Sequence, residues 1–168
     1  TLSGTTTNIV VAEGDAYTPD GLLNLNVTAT DDATATVNVY TCTILVTKTP
    51  DRLNVCAQDA EITYDYVVTN TGTADLIDVT AVDDNGTPLN LLDDVTLTLA
   101  GLTDEDGDTV ADDLAGSAFA TASRTVTLSG TTTNIVVAEG DAYTPDGLLN
   151  LNVTATDDAT ATVNVYTC

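Results

Sequence analysis

The chain lacks histidine, methionine and tryptophan, and its 168 residues carry only three basic side chains against 26 acidic ones. With Lys48, Arg52 and Arg124 as its only cations it has no basic patch for phosphates, so nucleic acids and anionic membrane surfaces are not expected partners. Histidine is the commonest general base and transition-metal ligand, and its absence argues against an enzyme. No hydrophobic run approaches the roughly 18 residues of a spanning helix, so we expect no membrane insertion in this segment.

The composition is that of a protein that folds around a hydrophobic core. Hydrophobic residues make up 43% of the chain and charged residues 17%, which is typical of a globular protein rather than a disordered one. The formal net charge of −23 favours divalent cations as ligands, because crowded carboxylates repel one another unless a cation lies among them.

An internal repeat organises the chain. Residues 1–42 recur letter for letter at residues 127–168, which gives a period of about 126 residues. Because repeats under separate selection do not stay identical, we interpret the sequence as a window on an array of near-identical units. Residues 1–42 are then the C-terminal third of a preceding repeat, and residues 43–168 are one complete repeat. An engineered or incidental duplication is the alternative.

Within the unit, apolar residues alternate with polar ones. A strand with one buried face is predicted by Ile62, Tyr64, Tyr66 and Val68. Residues 149–155 and 161–165 alternate in the same way on either side of Asp157 and Asp158, which we interpret as a hairpin with an acidic turn. Further strands are predicted at 43–49, 74–82, 94–100, 119–128 and 131–139. No window has a helical period, so the predicted fold class is all-β, an antiparallel β-sandwich.

Segment 61–72 carries a family-like pattern. Its sequence EITYDYVVTNTG resembles the signature v-t-Y-t-y-t-V-t-N-T-G of the Ig-like surface repeats grouped as domain of unknown function 11, with matches at Tyr64, Val68, Asn70, Thr71 and Gly72. Residues 47–50 and 55–57 and the last strand, TDDATATVNV, are similar to the same family, whereas residues 84–118 depart from it. The resemblance implies Ig-like sandwiches in tandem within long extracellular proteins of bacteria and archaea, and it implies no catalytic residues.

The most chemically distinctive stretch is TDEDGDTVADD at 103–113. Its alternating carboxylates can converge on one hard cation, and a main-chain carbonyl can add to the roughly six to eight oxygens that Ca²⁺ takes. The predicted Ca²⁺ ligands are Asp104, Asp106, Asp108, the carbonyl of Val110, and Asp112. The spacing resembles the acidic loops of thrombospondin type-3 repeats and dockerins, although it lacks the glutamate at position 12 of an EF-hand. A solvated acidic turn is the alternative.

The repeat assigns the three cysteines to two units, because Cys168 of the complete unit is the equivalent of Cys42 of the preceding one. Cys56 can therefore pair with Cys168 inside a unit or with Cys42 across a junction. In the Ig-like arrangement that the resemblance implies, strand A separates Cys42 from Cys56 by about 40 Å if it is straight, too far for a disulfide. We predict a Cys56–Cys168 bond, with Cys42 bonded to a cysteine of a preceding unit. Buried free thiols are the alternative.

Lys48 is the sole lysine and alternates with Ile44 and Val46, which puts it on the inner face of its strand. Surface Ig-like domains sometimes bond such a lysine to an asparagine of the last strand with help from a buried acid. Asn164 is the candidate isopeptide partner here, the acid is unidentified, and a lysine whose ammonium reaches solvent is the alternative. We interpret Asp83, Asp84, Asp93 and Asp94 either as acids that keep sheet edges solvated or as ligands of a second cation.

Disulfides indicate an oxidising compartment, so we expect an extracellular, cell-surface protein. Candidate glycosylation sequons begin at Asn26, Asn85 and Asn152.

The junction between units points to the function. VNVYTC runs into TILVTKT without a glycine, serine or proline linker, so neighbouring units should touch and form a stiff array. Pattern alone leaves open whether a strand is donated between units. The predicted function is a structural repeat of an extracellular fibre, stalk or sheath whose partners are neighbouring identical repeats. The alternative is an adhesin or binding module that displays Ig-like domains.

Overall fold

The computed structural model describes residues 4–17, 23–56, 59–145 and 150–168, with the side chains of 17, 23–27, 150 and 151 left aside. The chain divides into two compact units, Thr1–Tyr40 and Thr41–Cys168. Every regular element in the described ranges is a β-strand, so the prediction of an all-β chain is confirmed.

The first unit is a single hairpin. Strand β1 (Thr6–Tyr17) pairs antiparallel with β2 (Leu23–Val37), and the register runs from Thr6 opposite Val37 to Tyr17 opposite Leu23. A two-stranded sheet is at best marginally stable by itself in water, because it lacks a second layer of its own against which to bury a face.

The second unit contains two sheets. The three-stranded sheet has the order β3 (Ile44–Pro50), β5 (Ala60–Asn70), β8 (Phe119–Leu128) and is antiparallel throughout. The five-stranded sheet has the order β4 (Asn54–Val55), β10 (Asn150–Val165), β9 (Thr132–Tyr143), β6 (Asp75–Asp83), β7 (Val95–Thr96). It is antiparallel except where β4 pairs parallel with β10. This arrangement is compatible with a β-sandwich.

The core of the second unit follows the period of two. On β5 the predicted inward residues Ile62, Tyr64, Tyr66 and Val68 are all buried. On β9 the buried positions also alternate, at Asn134, Val136, Ala138, Gly140 and Ala142. Side chains of successive strand residues point to opposite faces, so each strand buries every second residue.

Two strand predictions were wrong. Asp157 and Asp158 form no turn, because β10 continues through them and its hairpin partner is β9, with Asp157 opposite Ala138. The acidic pair is accommodated since Asp158 is exposed and the Asp157 carboxylate accepts a hydrogen bond from the Val46 amide at 2.9 Å. In the predicted strand 94–100, only Val95–Thr96 has strand structure.

The start of the second unit is tied to the corner that follows β5. The Thr73 amide donates to the Thr41 carbonyl at 2.9 Å, and the Thr71 amide donates to the Thr43 carbonyl at 2.9 Å. A Cβ on Gly72 would lie 2.3 Å from the Thr41 carbonyl oxygen, so only glycine allows this approach. The buried Asn70 holds the corner from inside, accepting from the Gly72 amide.

Candidate functional site

The acidic loop gathers three of the predicted calcium ligands. Carboxylate oxygens of Asp104, Asp106 and Asp108 lie within 4.8 Å of one another. Gly107 and Thr109 both have positive φ, and their amides donate to the Asp104 carboxylate at 2.8 and 3.1 Å. The loop therefore folds back on its first aspartate and brings alternate carboxylates to one side.

The other two predicted ligands lie outside this cluster. Asp112 is not among the three grouped carboxylates, and its carbonyl accepts from the Val79 amide at 2.7 Å. Burial and the nearby carboxylates Asp113 and Asp108 raise the pKa of Asp112. Val110 is 49% exposed, and its amide donates to Asp108 at 2.7 Å.

A buried aspartate that the sequence did not single out supports the loop. Asp113 is 1% exposed, and one of its carboxylate oxygens accepts from the Glu105 and Asp106 amides at 2.6 and 3.2 Å. Its other oxygen accepts from the Asp78 amide at 3.2 Å, which links the loop to β6. Asp113 is therefore a structural acid of the loop base.

The predicted disulfide pair is brought together. Cys56 and Cys168 are bonded with 5.6 Å between their Cα atoms, at a sequence separation of 112. The pairing of β4 with the end of β10 explains this contact, because Val55 lies opposite Val165. Cys42 is a free, half-buried thiol in this chain.

Lys48 and Asp83 form a buried ion pair between the two sheets. Lys48 Nζ donates to Asp83 Oδ2 at 2.6 Å, and both side chains are fully buried. The expectation that Asp83 lies on a solvated edge was wrong, because the opposite sheet covers it. Burial lowers the pKa of Lys48 despite the neighbouring carboxylate. Burial alone would raise the pKa of Asp83, but hydrogen bonds from Lys48 and Tyr66 hold it below its usual value.

Further groups converge on the Asp83 carboxylate. The Tyr66 hydroxyl donates to Oδ2 at 2.5 Å, and Arg124 Nη1 donates to Oδ1 at 3.3 Å. The rings of Tyr64 and Tyr66 lie 4.8 and 5.3 Å from Lys48 Nζ, which is cation–π distance. Alternation along β5 identified both tyrosines as core, but no sequence signal connected them to Asp83.

Lys48 and Asn164 have different partners, so the isopeptide pairing predicted from the sequence is corrected. Asn164 is half-buried and its Nδ2 donates to Asn54 Oδ1 at 3.2 Å. Val163, its neighbour on β10, points inward and is fully buried. Alternation along β10 therefore directs Asn164 away from the interior in which Lys48 is buried.

The three sequons have different environments. Asn152 is exposed, with a positive φ, which is compatible with a glycan. Asn85 is half-buried and its Oδ1 accepts from Arg124 Nη2 at 2.8 Å, so its carboxamide is already part of the Asp83 cluster. The side chain of Asn26 lies outside the described part of the chain.

The repeated sequence forms the same hairpin twice in different surroundings. Thr6 pairs with Val37 as Thr132 pairs with Val163, and the hydrogen bond between Thr7 and Thr36 hydroxyls recurs between the equivalent threonines of the second unit. Val10 is 63% exposed and Val37 is 51% exposed, whereas their equivalents Val136 and Val163 are 0% exposed. The same apolar face is thus exposed in the β1–β2 hairpin and buried in the β9–β10 hairpin.

An apolar groove lies on the outer face of the five-stranded sheet. It has a volume of about 350 Å³ and is lined by Val82, Pro88, Leu91, Ile135 and Val137, with Asp84, Asp94 and Glu139 adding carboxylates. Leu91 is 77% exposed.

No protein-family model matches this chain, and no curated protein matches it either. Among the described residues, no helix is long and apolar enough to span a membrane. What the protein does is therefore inferred from its own residues.

Proposed function

We propose that this chain is a structural repeat of an extracellular fibre, stalk or sheath, built from Ig-like units of about 126 residues in tandem. The observation that carries the proposal is the contrast between the two copies of the hairpin: Val10 is 63% exposed, and its equivalent Val136 is fully buried. A sequence selected to bury one face is expected to have that face covered in both copies.

The repeat indicates which surface would cover the exposed apolar face of the β1–β2 hairpin. In the second unit the hairpin β9–β10 is covered by strands drawn from residues 43–126. Because β1–β2 has the same sequence as β9–β10, a preceding copy of residues 43–126 is the surface that fits it. Each unit would then be a complete sandwich.

The cysteines support the same arrangement. Cys168 bonds to Cys56 within the second unit, and Cys42 is the repeat equivalent of Cys168. We propose that Cys42 bonds to the equivalent of Cys56 in a preceding unit. Such bonds persist in oxidising surroundings, which supports an extracellular location.

A chain extended at Thr1 by a second copy of residues 43–126 tests this proposal. We expect amide hydrogen exchange of residues 6–37 to slow by about 100-fold or more relative to the original chain, because β1–β2 gains a buried face. Cys42 should become disulfide-bonded to the added equivalent of Cys56, as non-reducing peptide mapping would detect.

The original chain is the control for exchange, and an extended chain with the added Cys56 equivalent changed to serine is the control for the bond. That serine variant should still protect residues 6–37. Unchanged exchange together with a free Cys42 thiol in the extended chain would contradict the tandem arrangement.

We propose that the acidic loop holds Ca²⁺ through Asp104, Asp106 and Asp108. The proposal is supported by carboxylate oxygens that lie within 4.8 Å of one another in a loop with two positive-φ residues. Ca²⁺ prefers carboxylate and carbonyl oxygens in flexible loops, and binding would relieve the mutual repulsion of these acids. The carbonyl of Val110 and the carboxylate of Asp112 remain candidates for completing the shell after rearrangement.

Calcium at about 100 times its dissociation constant is expected to stabilise the protein by about 2.7 kcal/mol, which raises the melting temperature by a few degrees. Calorimetry with Ca²⁺ and with a chelator measures this shift. The double variant Asp106→Asn/Asp108→Asn should lose it. Asp31→Asn/Asp32→Asn, an equal charge change on an exposed pair, should keep it. An equal Ca²⁺ shift in both variants, or none in the original chain, would favour a solvated acidic turn.

A binding module is the second candidate function. The observation in its favour is the groove at Val82, Leu91 and Val137, which combines an apolar floor with carboxylates and suits an apolar or cationic ligand. Electron microscopy of the two-unit and longer chains discriminates the candidates. Stiff rods of uniform width support the fibre, whereas flexibly linked units would favour display of a binding surface.

A further inference from the structure

A lysine, a carboxylate and a carboxamide share the interior of the second unit. The side chains of Lys48 and Asp83 are fully buried, and Asn134 is 1% exposed. Lys48 and Asp83 contact each other, whereas the Asn134 Oδ1 atom is buried without a hydrogen-bond partner. A buried carbonyl oxygen left without a donor costs about 1–3 kcal/mol, so this unpaired oxygen requires an explanation.

The strand register brings Asn134 near Asp83. Asp83 on β6 lies opposite Val136 on β9, and both side chains are buried. Asn134 is the next inward residue along β9, which makes it the diagonal neighbour of Asp83, with Cα atoms about 7–8 Å apart in such pairs. The pairing extends to this end of the strands, since the Asp84 amide donates to the Ile135 carbonyl at 2.9 Å. Lys48 Nζ is held 2.6 Å from Asp83 Oδ2, so Asp83 is a shared neighbour of the amine and of Asn134.

We propose that Lys48 and Asn134 form an intramolecular isopeptide bond, with Asp83 as the catalytic residue that transfers the protons. The bond would join β3, in the three-stranded sheet, to β9, in the five-stranded sheet. It replaces Asn164 by Asn134 as the partner of Lys48 and identifies the acid.

The reaction balances without an oxidant, a reductant or water. The Lys48 ammonium first gives a proton to the Asp83 carboxylate, which leaves a neutral amine and a carboxylic acid. The amine attacks Asn134 Cγ while the acid donates a hydrogen bond to Oδ1. The new Nζ–Cγ bond forms, the Cγ–Nδ2 bond breaks, and one amine hydrogen passes through Asp83 to Nδ2. Ammonia leaves, and the product is a secondary amide.

The surroundings of the amine favour its neutral form and its attack, although the hydrogen bonds that lower the pKa of Asp83 oppose the first proton transfer. Burial lowers the pKa of Lys48, and the neutral amine is the nucleophilic form of lysine. The rings of Tyr64 and Tyr66 border the amine at 4.8 and 5.3 Å and exclude water that would stabilise its charge. Fixed strands hold the reacting groups together, and such positioning replaces an encounter in solution by an intramolecular step.

The repeat supplies an internal control. Asn8 is the equivalent of Asn134, in the same flanking sequence, but it is exposed in the first unit. We therefore expect the chain to lose one ammonia and not two. Reaction at exposed asparagines in general would have no reason to spare Asn8.

Intact mass spectrometry of the reduced and alkylated full chain tests the proposal. We expect a mass below that of the sequence by one ammonia. Trypsin should then fail to cleave after Lys48, because an acylated lysine carries no charge. Cleavage at Arg52 and Arg124 should give one cross-linked species made of residues 1–52 and 125–168. Fragmentation of that species assigns the linkage and separates it from cyclisation at Asn85.

Matched variants identify the reacting groups. Lys48→Arg keeps a cation beside Asp83 and should have the full mass of its sequence, as should Asn134→Ala, which has no acyl group to be attacked. Asp83→Asn should also abolish the loss of ammonia, whereas Asn164→Ala should retain it. Full sequence mass in the original chain, or release of a free 1–48 peptide by trypsin, would overturn the proposal without recourse to any variant. A cross-link that survives Asn134→Ala and disappears in Asn164→Ala would overturn the choice of asparagine.

Discussion

Replacement of Cys56 by serine is expected to lower the free energy of unfolding by about 4–5 kcal/mol. Cys56 and Cys168 are separated by 112 residues, so their bond restricts almost the whole second unit in the unfolded state. In the chain-entropy account, closing a loop of that length removes enough unfolded conformations to give this stabilisation. Urea denaturation under non-reducing conditions measures the change.

Cys42→Ser is the matched control for the disulfide. It removes the free thiol, leaves the Cys56–Cys168 bond intact and should change the unfolding free energy by less than about 1 kcal/mol. It also prevents exchange of disulfide partners during the measurement. If Cys56→Ser were as stable as Cys42→Ser, or if peptide mapping linked Cys42 to Cys56, the predicted pairing would be rejected.

The second large effect is expected for Asp83→Asn, which should reduce the unfolding free energy by about 3–5 kcal/mol. The substitution keeps the size of the side chain but removes the anion that accepts from Lys48, Tyr66 and Arg124. In Asp83→Asn the Lys48 ammonium is buried without its counter-charge, and the proposed cross-link is absent as well; both contribute to the loss. Thermal and urea denaturation, followed by circular dichroism, measure it.

A charge-neutral double variant separates the ion from the packing. Lys48→Met/Asp83→Asn removes both charges, and we expect it to recover about 2–4 kcal/mol relative to Asp83→Asn. Neither of these two chains can form the proposed cross-link, so their difference reports on the buried charge alone. Asp65→Asn, at an exposed position of β5, is the surface control and should be nearly neutral. A double variant less stable than Asp83→Asn would contradict this account.

Much of the strand arrangement could be predicted, because alternation is a local property of the sequence. The residues from Ile62 to Val68 alternate strictly, and the structure buries the predicted set. The prediction failed where local signals conflicted. Asp157 and Asp158 have the composition of a turn, but the amide of Val46 on a neighbouring strand satisfies Asp157 and β10 continues. Turn chemistry was outweighed by a contact between residues far apart in sequence.

The candidate sites divide in the same way. The convergence of Asp104, Asp106 and Asp108 was readable from their spacing, since alternate carboxylates around a glycine turn remain close in any compact loop. The role of Asp83 was not readable. It stands in the sequence VDDNG, which indicates a solvated turn, and only the opposite sheet makes it a buried partner of Lys48. Asn134 was missed for the same reason.

By itself, the sequence determined the all-β class, the alternating core of β5, the recurrence of residues 1–42 at residues 127–168 and the equivalence of Cys42 and Cys168. These features depend on the periodicity of apolar residues and on the identity of two sequence segments, and both can be read from the sequence alone. Only the tertiary structure decided which face of each strand is covered and which polar groups meet inside. The 42-residue repeat demonstrates the reason: one sequence forms one hairpin, yet Val10 is exposed and Val136 is buried, because burial depends on the surface that lies opposite.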